Sequence, residues 1–365
     1  MSERYTLYGS GFSLYSGKVR SYLYKKGIPF DEVLSTMRVY KNFIIPRTGV
    51  RYIPIVQTPD DKVYQDTTTI IDELENRYPD NSVYPNTPNQ KLVSLLLETY
   101  ADEWLIIPAM HYRWAYQEVN QPDVYQQFGR LISPNLPKFI RGWLGKKLGA
   151  RFKGVVPMLG VHDSNINAIE TSYMNLLADL ELHFQQHNYL LGSRPCIADF
   201  GFIGPLYAHL YRDPYPGELM RSKAPAVAKW VERMIDQKKA SGEFVADDQI
   251  PETLLPVLER MAKEHLPVLI DTDNILAEWR GFHPKKSIPR FLGEHDFTVE
   301  GVTAKRVILP YALWMFKRPI DYYQSLDAKQ KKDANKLLRK FGFVDVLEKG
   351  LKNRLVRPNN KLEFS

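Results

Sequence analysis

Four residues near the start of the chain have the types and order to hold a small charged peptide. Ile53 and Pro54 lie in Arg51–Tyr78, RYIPIVQTPDDKVYQDTTTIIDELENRY, and Asp66 and Thr67 follow in the same stretch. Proline is poorly tolerated inside a central strand. A cis Ile53-Pro54 bond at a strand entry accounts for it and leaves the Ile53 backbone groups open to an extended peptide. Asp66 and Thr67 open a helix, and a helix beginning attracts an anion. An ordinary hairpin followed by an ordinary N-cap reads the same way.

These residues need a frame. Tyr52–Val56 reads as a buried strand, Thr58-Pro59-Asp60-Asp61 as its turn and Lys62–Tyr64 as the returning strand. A helix follows with Ile70, Ile71 and Leu74 on its apolar face. Upstream, Tyr5–Tyr8 reads as a strand, Ser16–Lys26 as a helix ended by Gly27, and Ile28–Val33 as a second strand. A short helix or irregular segment fills Met37–Pro46. The order is β-α-β-α-β-β-α, a thioredoxin-like arrangement over residues 1–83. Gly9-Ser10-Gly11 is not a dinucleotide loop, because Leu14 stands where the third glycine belongs.

The stretch resembles the glutathione S-transferase family. Members carry an apolar residue and a cis-proline before a hairpin, then an acidic-Ser/Thr pair opening the next helix. The usual pair is Glu-Ser or Gln-Ser, so Asp66-Thr67 departs conservatively. The loop Ser13-Leu14-Tyr15-Ser16-Gly17-Lys18-Val19-Arg20 carries the resemblance further. Ser13 takes the place of the family's catalytic Ser or Cys, and Lys18-Val19-Arg20 is the basic-apolar-basic run that follows. A free thiol titrates near about 8.5. A hydroxyl donor and the positive end of a helix stabilise the thiolate that must attack. A serine cannot form a mixed disulfide, which argues against the disulfide-reducing classes. Tyr8, Tyr15 and Ser16 remain alternative hydroxyls, and Ser13 or Ser16 also suits a plain cap.

A second resemblance lies in Tyr189–Phe200, YLLGSRPCIADF. The family carries an apolar-Leu-x-Gly stretch, then Ser/Thr-Ile-Ala-Asp opening a buried helix. Here Ile197-Ala198-Asp199 matches, while Cys196 replaces the cap. A thiol is a poor acceptor, so a weaker cap is expected, with Asp199 serving folding. Ala224–Met234 resembles the next family helix, entered through a proline. Together these matches span about two-thirds of the chain.

Between them, Lys91–Val119 reads as helical with a kink at Pro108. Asn120–Val161 reads as irregular, punctuated by prolines and weakened by Gly142, Gly145 and Gly149. Its Trp143 and basic residues Arg141, Lys146, Lys147, Arg151 and Lys153 read as a solvated cationic stretch, with a nucleic-acid or anionic-membrane role as the minor alternative. Asn165–His187 is a strong helix, and His183 with His187 suits a solvated helix end, not a metal site. From about Ile250 an extension follows that the family's minimal form lacks. It includes helices broken at Pro256 and Pro267 and a hairpin about Glu300-Gly301. Aromatic helical segments with Tyr311, Trp314 and Phe316 come next, then a basic helix face over Lys329–Lys340.

The chain has 365 residues and a net charge of 49 − 42 = +7. No run approaches the 18 or so apolar residues that span a bilayer. Met1-Ser2-Glu3-Arg4-Tyr5 lacks the pattern of a signal peptide. The lone Cys196 rules out an internal disulfide and fits a reducing compartment.

The expected fold is α/β plus all-α: a thioredoxin-like domain over 1–83, a helical transferase domain over 90–248, and an α/β extension over 249–365 packed on the core. The resemblance implies a serine-type, bacterial-like glutathione transferase of the detoxifying kind, and the N-terminal pattern and lone cysteine lead to a cytoplasmic location as the expectation. Glutathione is its co-substrate and a small apolar electrophile its partner. It implies Ser13 as the catalytic residue, Ile53, Pro54, Asp66 and Thr67 as the glutathione site, and an electrophile pocket lined by the first loop and the helix carrying Trp104, His111 and Tyr112. No metal, nucleic acid or membrane insertion is expected, and a homodimer is. A non-catalytic binding protein on the same fold is the other reading. A glutathione-dependent lyase, dehalogenase or isomerase would share the binding residues.

Overall fold

Alternating burial sets the first strand. In β1 (Tyr5–Gly9), Tyr5, Leu7 and Gly9 face inward, and a computed structural model, which describes residues 4–365, places this strand inside a four-stranded sheet. Met1–Glu3, read above for a leader, lie outside the described residues. Ser13 caps α1 (Leu14–Lys26), and Gly27 ends it in the left-handed conformation that glycine tolerates. β2 (Phe30–Leu34) pairs parallel with β1. Two short helices, α2 (Met37–Val39) and α3 (Ile45–Thr48), flank a wider turn at Tyr40–Ile44. β3 (Ile55–Gln57) runs antiparallel to β1, and β4 (Val63–Gln65) antiparallel to β3, giving the order β2-β1-β3-β4. α4 (Thr67–Arg77) buries Ile70, Ile71 and Leu74 against this layer.

The helical layer begins with α5 (Pro88–Glu103) and α6 (Ile106–Ala115). The break between them falls at Trp104–Leu105, not at Pro108. Pro108 lies in the first turn of α6, where a missing N–H costs nothing. α7 (Gln117–Ile132) and α8 (Lys138–Lys153) replace the irregular stretch expected from the glycines. Those glycines are where the two helices touch. A Cβ on Gly145 would lie 1.8 Å from the Tyr125 carbonyl, and one on Gly129 2.1 Å from that of Arg141. Close packing has overridden weak helix propensity. α9 (Ile166–Phe184), α10 (Ile197–Ala208), α11 (Pro214–Lys223) and α12 (Pro225–Ile235) complete this layer. α10 is almost wholly buried and packs on α1 and α5. His183 is buried too, not at a solvated end: Nδ1 bonds Thr253 and Nε2 the Tyr189 carbonyl.

The extension starts with α13 (Leu255–Arg260) and α14 (Leu266–Phe282), joined by a wide turn. Pro256 sits at the second position of α13, where it opens the helix, whereas Pro267 follows directly on the wide turn that interrupts the helical run, the break expected there. β5 (Glu294–Val299) and β6 (Val302–Val307) form the expected hairpin, with Glu300 and Gly301 both at positive φ. α15 (Tyr311–Ser325), α16 (Ala328–Leu338), α17 (Val344–Lys349) and the two-residue strands β7 (Leu355–Val356) and β8 (Glu363–Phe364) follow. One core runs through all three regions: Leu7, Phe200, Phe316 and Phe343 belong to a single buried cluster. No helix among the described residues is long and apolar enough to cross a membrane.

Candidate functional site

Strand register brings the expected residues to one end of the sheet. Tyr8 pairs with Ile55 and Ile55 with Gln65. Ile53 and Pro54 therefore continue beside the end of β1, and Asp66 and Thr67 beside Pro54. The Ile53-Pro54 peptide is cis. Among the described residues no hydrogen bond engages the Ile53 N–H or C=O, and Ile53 is only half-buried.

Ser13 stands at the same end, at the mouth of α1. Its Oγ accepts from the Ser16 N–H at 3.4 Å, a long capping bond, and the side chain is half-buried. The other hydroxyls are committed elsewhere. Tyr8 donates to Gln57 at 2.9 Å, and Tyr15 to the Asp102 carbonyl at 3.3 Å. The Ser16 Oγ accepts from the Ser10 N–H and is fully buried.

Asp66 caps α4: one carboxylate oxygen accepts from the Thr68 and Thr69 N–H groups at 3.0 and 3.4 Å. The second oxygen is met by the extension. The Tyr311 hydroxyl donates to it, and the Arg357 guanidinium lies 3.2 Å away. Arg357 also donates to Gln65 at 2.9 Å and stacks over the Tyr311 and Trp314 rings. Asn360 donates to the Thr48 carbonyl beside them. The carboxylate expected to receive a ligand is thus already satisfied from within the chain. The neighbouring Thr67 hydroxyl engages no partner among the described residues. Neither Tyr311 nor Arg357 was legible as a site residue: each lies far along the chain, and no local pattern announces the contact.

Behind the loop of Ser13, charge is buried deeply. Lys18 reaches Glu98 at 2.7 Å and Asp102 at 2.5 Å, tying α1 to α5. Burial opposes its charge, but the two carboxylates outweigh this and raise its pKa. Arg20 pairs with Glu32. The basic-apolar-basic run is therefore structural on both sides. Glu103 at the end of α5 is pushed up to about 8 by burial and then by Asp102 and Asp66. The positive charge that opposes this most is Arg306 of β6, itself lowered to about 10 by burial.

Residues 7–82 match the family model of the glutathione S-transferase N-terminal domain, and residues 166–238 match that of its C-terminal domain. The chain belongs to the glutathione S-transferase family. No curated protein matches it in sequence. Solved structures that resemble it include a glutathione S-transferase from Rhodospirillum rubrum, 14% identical, with a TM-score of 0.43 over 68% of this chain and 96% of that one. A β-etherase from Sphingobium sp. is 18% identical, with a TM-score of 0.44 over 65% and 96%. A glutathione S-transferase from Methylobacillus flagellatus, solved with glutathione bound, is 16% identical, with a TM-score of 0.40 over 65% and 100%. At such identities neither a reaction nor a ligand transfers to this chain.

In this glutathione S-transferase chain Asp199 holds the start of α10 as expected. It accepts from the Cys196 N–H at 2.9 Å, the Leu190 N–H at 3.1 Å and the Trp230 indole at 3.0 Å. The Cys196 thiol donates to it at 3.3 Å. Burial raises that thiol's pKa, so Cys196 is an unreactive core residue. Trp104, His111 and Tyr112 are core residues as well. The Trp104 indole donates to Glu264, His111 pairs with Glu170, and the Tyr112 ring stacks on Tyr116. The void beside Trp104 measures about 10 Å³, room for a water at most. The expected electrophile pocket does not form around these three side chains.

Proposed function

We propose that this chain binds glutathione along Ile53 and turns its thiolate on a small apolar electrophile. The observation that carries the reading is the pair of unbonded Ile53 backbone groups at the sheet end, with Ser13 and Thr67 at the neighbouring helix starts. The cysteinyl backbone would pair with Ile53 beside Pro54. The γ-glutamyl carboxylate would take Thr67 and the N-terminus of α4, with Asp66 shaping that end. Ser13 would donate to the sulfur and, with the start of α1, favour the thiolate. The thiol proton passes to solvent; the thiolate then forms a thioether as the electrophile's leaving group departs. Titration calorimetry with glutathione, then turnover of a generic aryl halide, tests the reading. No heat at millimolar glutathione rejects it.

One observation favours a second reading, a non-catalytic protein on the same fold: Tyr311 and Arg357 already occupy the second oxygen of Asp66. A glutathione-dependent lyase, dehalogenase or isomerase would use the same groups, and product analysis separates these. The division into 1–83, 90–248 and 249–365, the cytoplasmic location and the homodimer belong to the same proposal. Because α15 covers faces of α4 and α5, a dimer would form on other surfaces, which light scattering and crosslinking can test.

A further inference from the structure

One face of α8 departs from the usual pattern of a surface helix. A helix on the surface of a protein in water turns its large apolar side chains inward and its small or polar ones outward. Here the glycines face inward. Gly145 and Gly149 are buried against α7, and Gly142 lies against Gln126. Two large apolar side chains face outward, Phe139 at 78% exposed and Trp143 at 57%, while Leu148 and Phe152 pack towards Phe128 of α7. They stand four residues apart and so share one helix face. Lys146 and Lys147 are also exposed, and the Lys147 ammonium lies 3.6 Å from the Trp143 ring centroid. The whole of α8 carries Lys138, Arg141, Lys146, Lys147, Arg151 and Lys153 and no acidic residue. α7 is the element it packs on most, and among the described residues the Phe139 and Trp143 side chains stay exposed. This hairpin also lies between the two segments that match the family models.

We infer that the outward face of α8 docks on an anionic phospholipid surface. The charge complementarity is one-sided: cations flank the aromatic pair and no carboxylate on the helix opposes a negative surface. Trp and Phe beside lysines suit the boundary between headgroups and acyl chains, where an aromatic body can enter and the ammonium stays in water. Each cation near such a surface strengthens binding about fivefold. The contact is peripheral, since no helix among the described residues can span the bilayer. Nucleic acid is less well matched, because a single strand follows a charged groove, whereas this face is a convex helix surface.

The test is co-sedimentation of the full chain with phosphatidylcholine vesicles, with and without a quarter phosphatidylglycerol. Binding is expected only with phosphatidylglycerol and is expected to weaken steeply with salt. Phe139→Ser with Trp143→Ser should reduce it at least tenfold, as should Lys146→Gln with Lys147→Gln and Arg151→Gln. Brominated lipid should quench the wild-type fluorescence more than that of Trp143→Ser. All five side chains are exposed, so unchanged circular dichroism will show the variants folded. Absence of binding to anionic vesicles at low salt overturns the inference. So does binding indifferent to the aromatic pair, or tighter binding to a single-stranded oligonucleotide at equal salt.

Discussion

Arg357 of the extension closes on Asp66 at the first turn of α4, Nη1 to Oδ2 at 3.2 Å, with both side chains mostly buried. This pair sets the terms on which any ligand enters the site. Breaking a buried pair from one side leaves a charge uncompensated, at about 3–5 kcal/mol in the general case. Here Tyr311 and two backbone N–H groups still serve Asp66. Arg357→Ala should therefore cost less, about 1–3 kcal/mol. It should also tighten glutathione binding severalfold by freeing the carboxylate for the γ-glutamyl ammonium. Calorimetry beside thermal unfolding checks both, and unchanged affinity would show that the arginine does not compete.

Ser13→Ala separates cap from catalyst. The long bond to the Ser16 N–H contributes about 0.5–1 kcal/mol as a cap, so stability should fall only slightly. Turnover with glutathione should fall about 10- to 100-fold if one hydrogen bond stabilises the sulfur anion, and the bound thiol should titrate higher. A pH–rate profile measures the shift, and a profile identical to wild type would remove Ser13 from the chemistry.

Glu103 makes stability depend on pH with a definite sign. Its folded value, about 8, lies above the ordinary 4.5, so the folded state holds this proton more tightly than the unfolded state does. The contribution is full below about 4.5 and fades as pH rises towards 8. Glu103→Gln cannot titrate, so its stability relative to wild type should grow by a few kcal/mol between pH 5 and pH 8. Chemical denaturation at the two pH values measures this. Parallel slopes would place Glu103 in a wetter setting than its burial implies.

Lys18→Met removes the ammonium that Glu98 and Asp102 share. Arg318 still reaches Glu98, but Asp102 is left buried without a cation. A loss of about 3–5 kcal/mol is expected, visible as a lowered denaturation midpoint. A variant as stable as wild type would mean that water replaces the lysine.

What was legible in the sequence is what local chemistry dictates. The strand entry at Ile53-Pro54, the cap at Asp66, the turn at Glu300-Gly301 and the box around Asp199 each depend on neighbours in the chain. What was not legible depends on distant partners. Tyr311 meets Asp66 across 245 residues, and no periodicity reports such a contact. Lys18 reads only as part of a basic-apolar-basic run, and its burial follows from two acids of α5 that face it. Gly142, Gly145 and Gly149 read as helix weakeners because single-residue propensity ignores how closely α7 approaches. Trp104, His111 and Tyr112 read as pocket residues by analogy of position, and packing with Glu264, Glu170 and Tyr116 made them core.

α15 carries one arginine that fastens the molecule's parts together. Arg318 reaches Asp72 and Tyr84 on one side and Glu98 on the other, while Met315 lies against Thr68 and Thr99. The appended region thus grips both of the layers that the family models match, and is not baggage tied behind them. A version of this protein trimmed to the length of its smaller cousins would expose acids that lost their counterion and apolar surface that lost its cover. Proteases should find no early nick that frees a sturdy shorter fragment, and heat should dismantle all three regions in a single step.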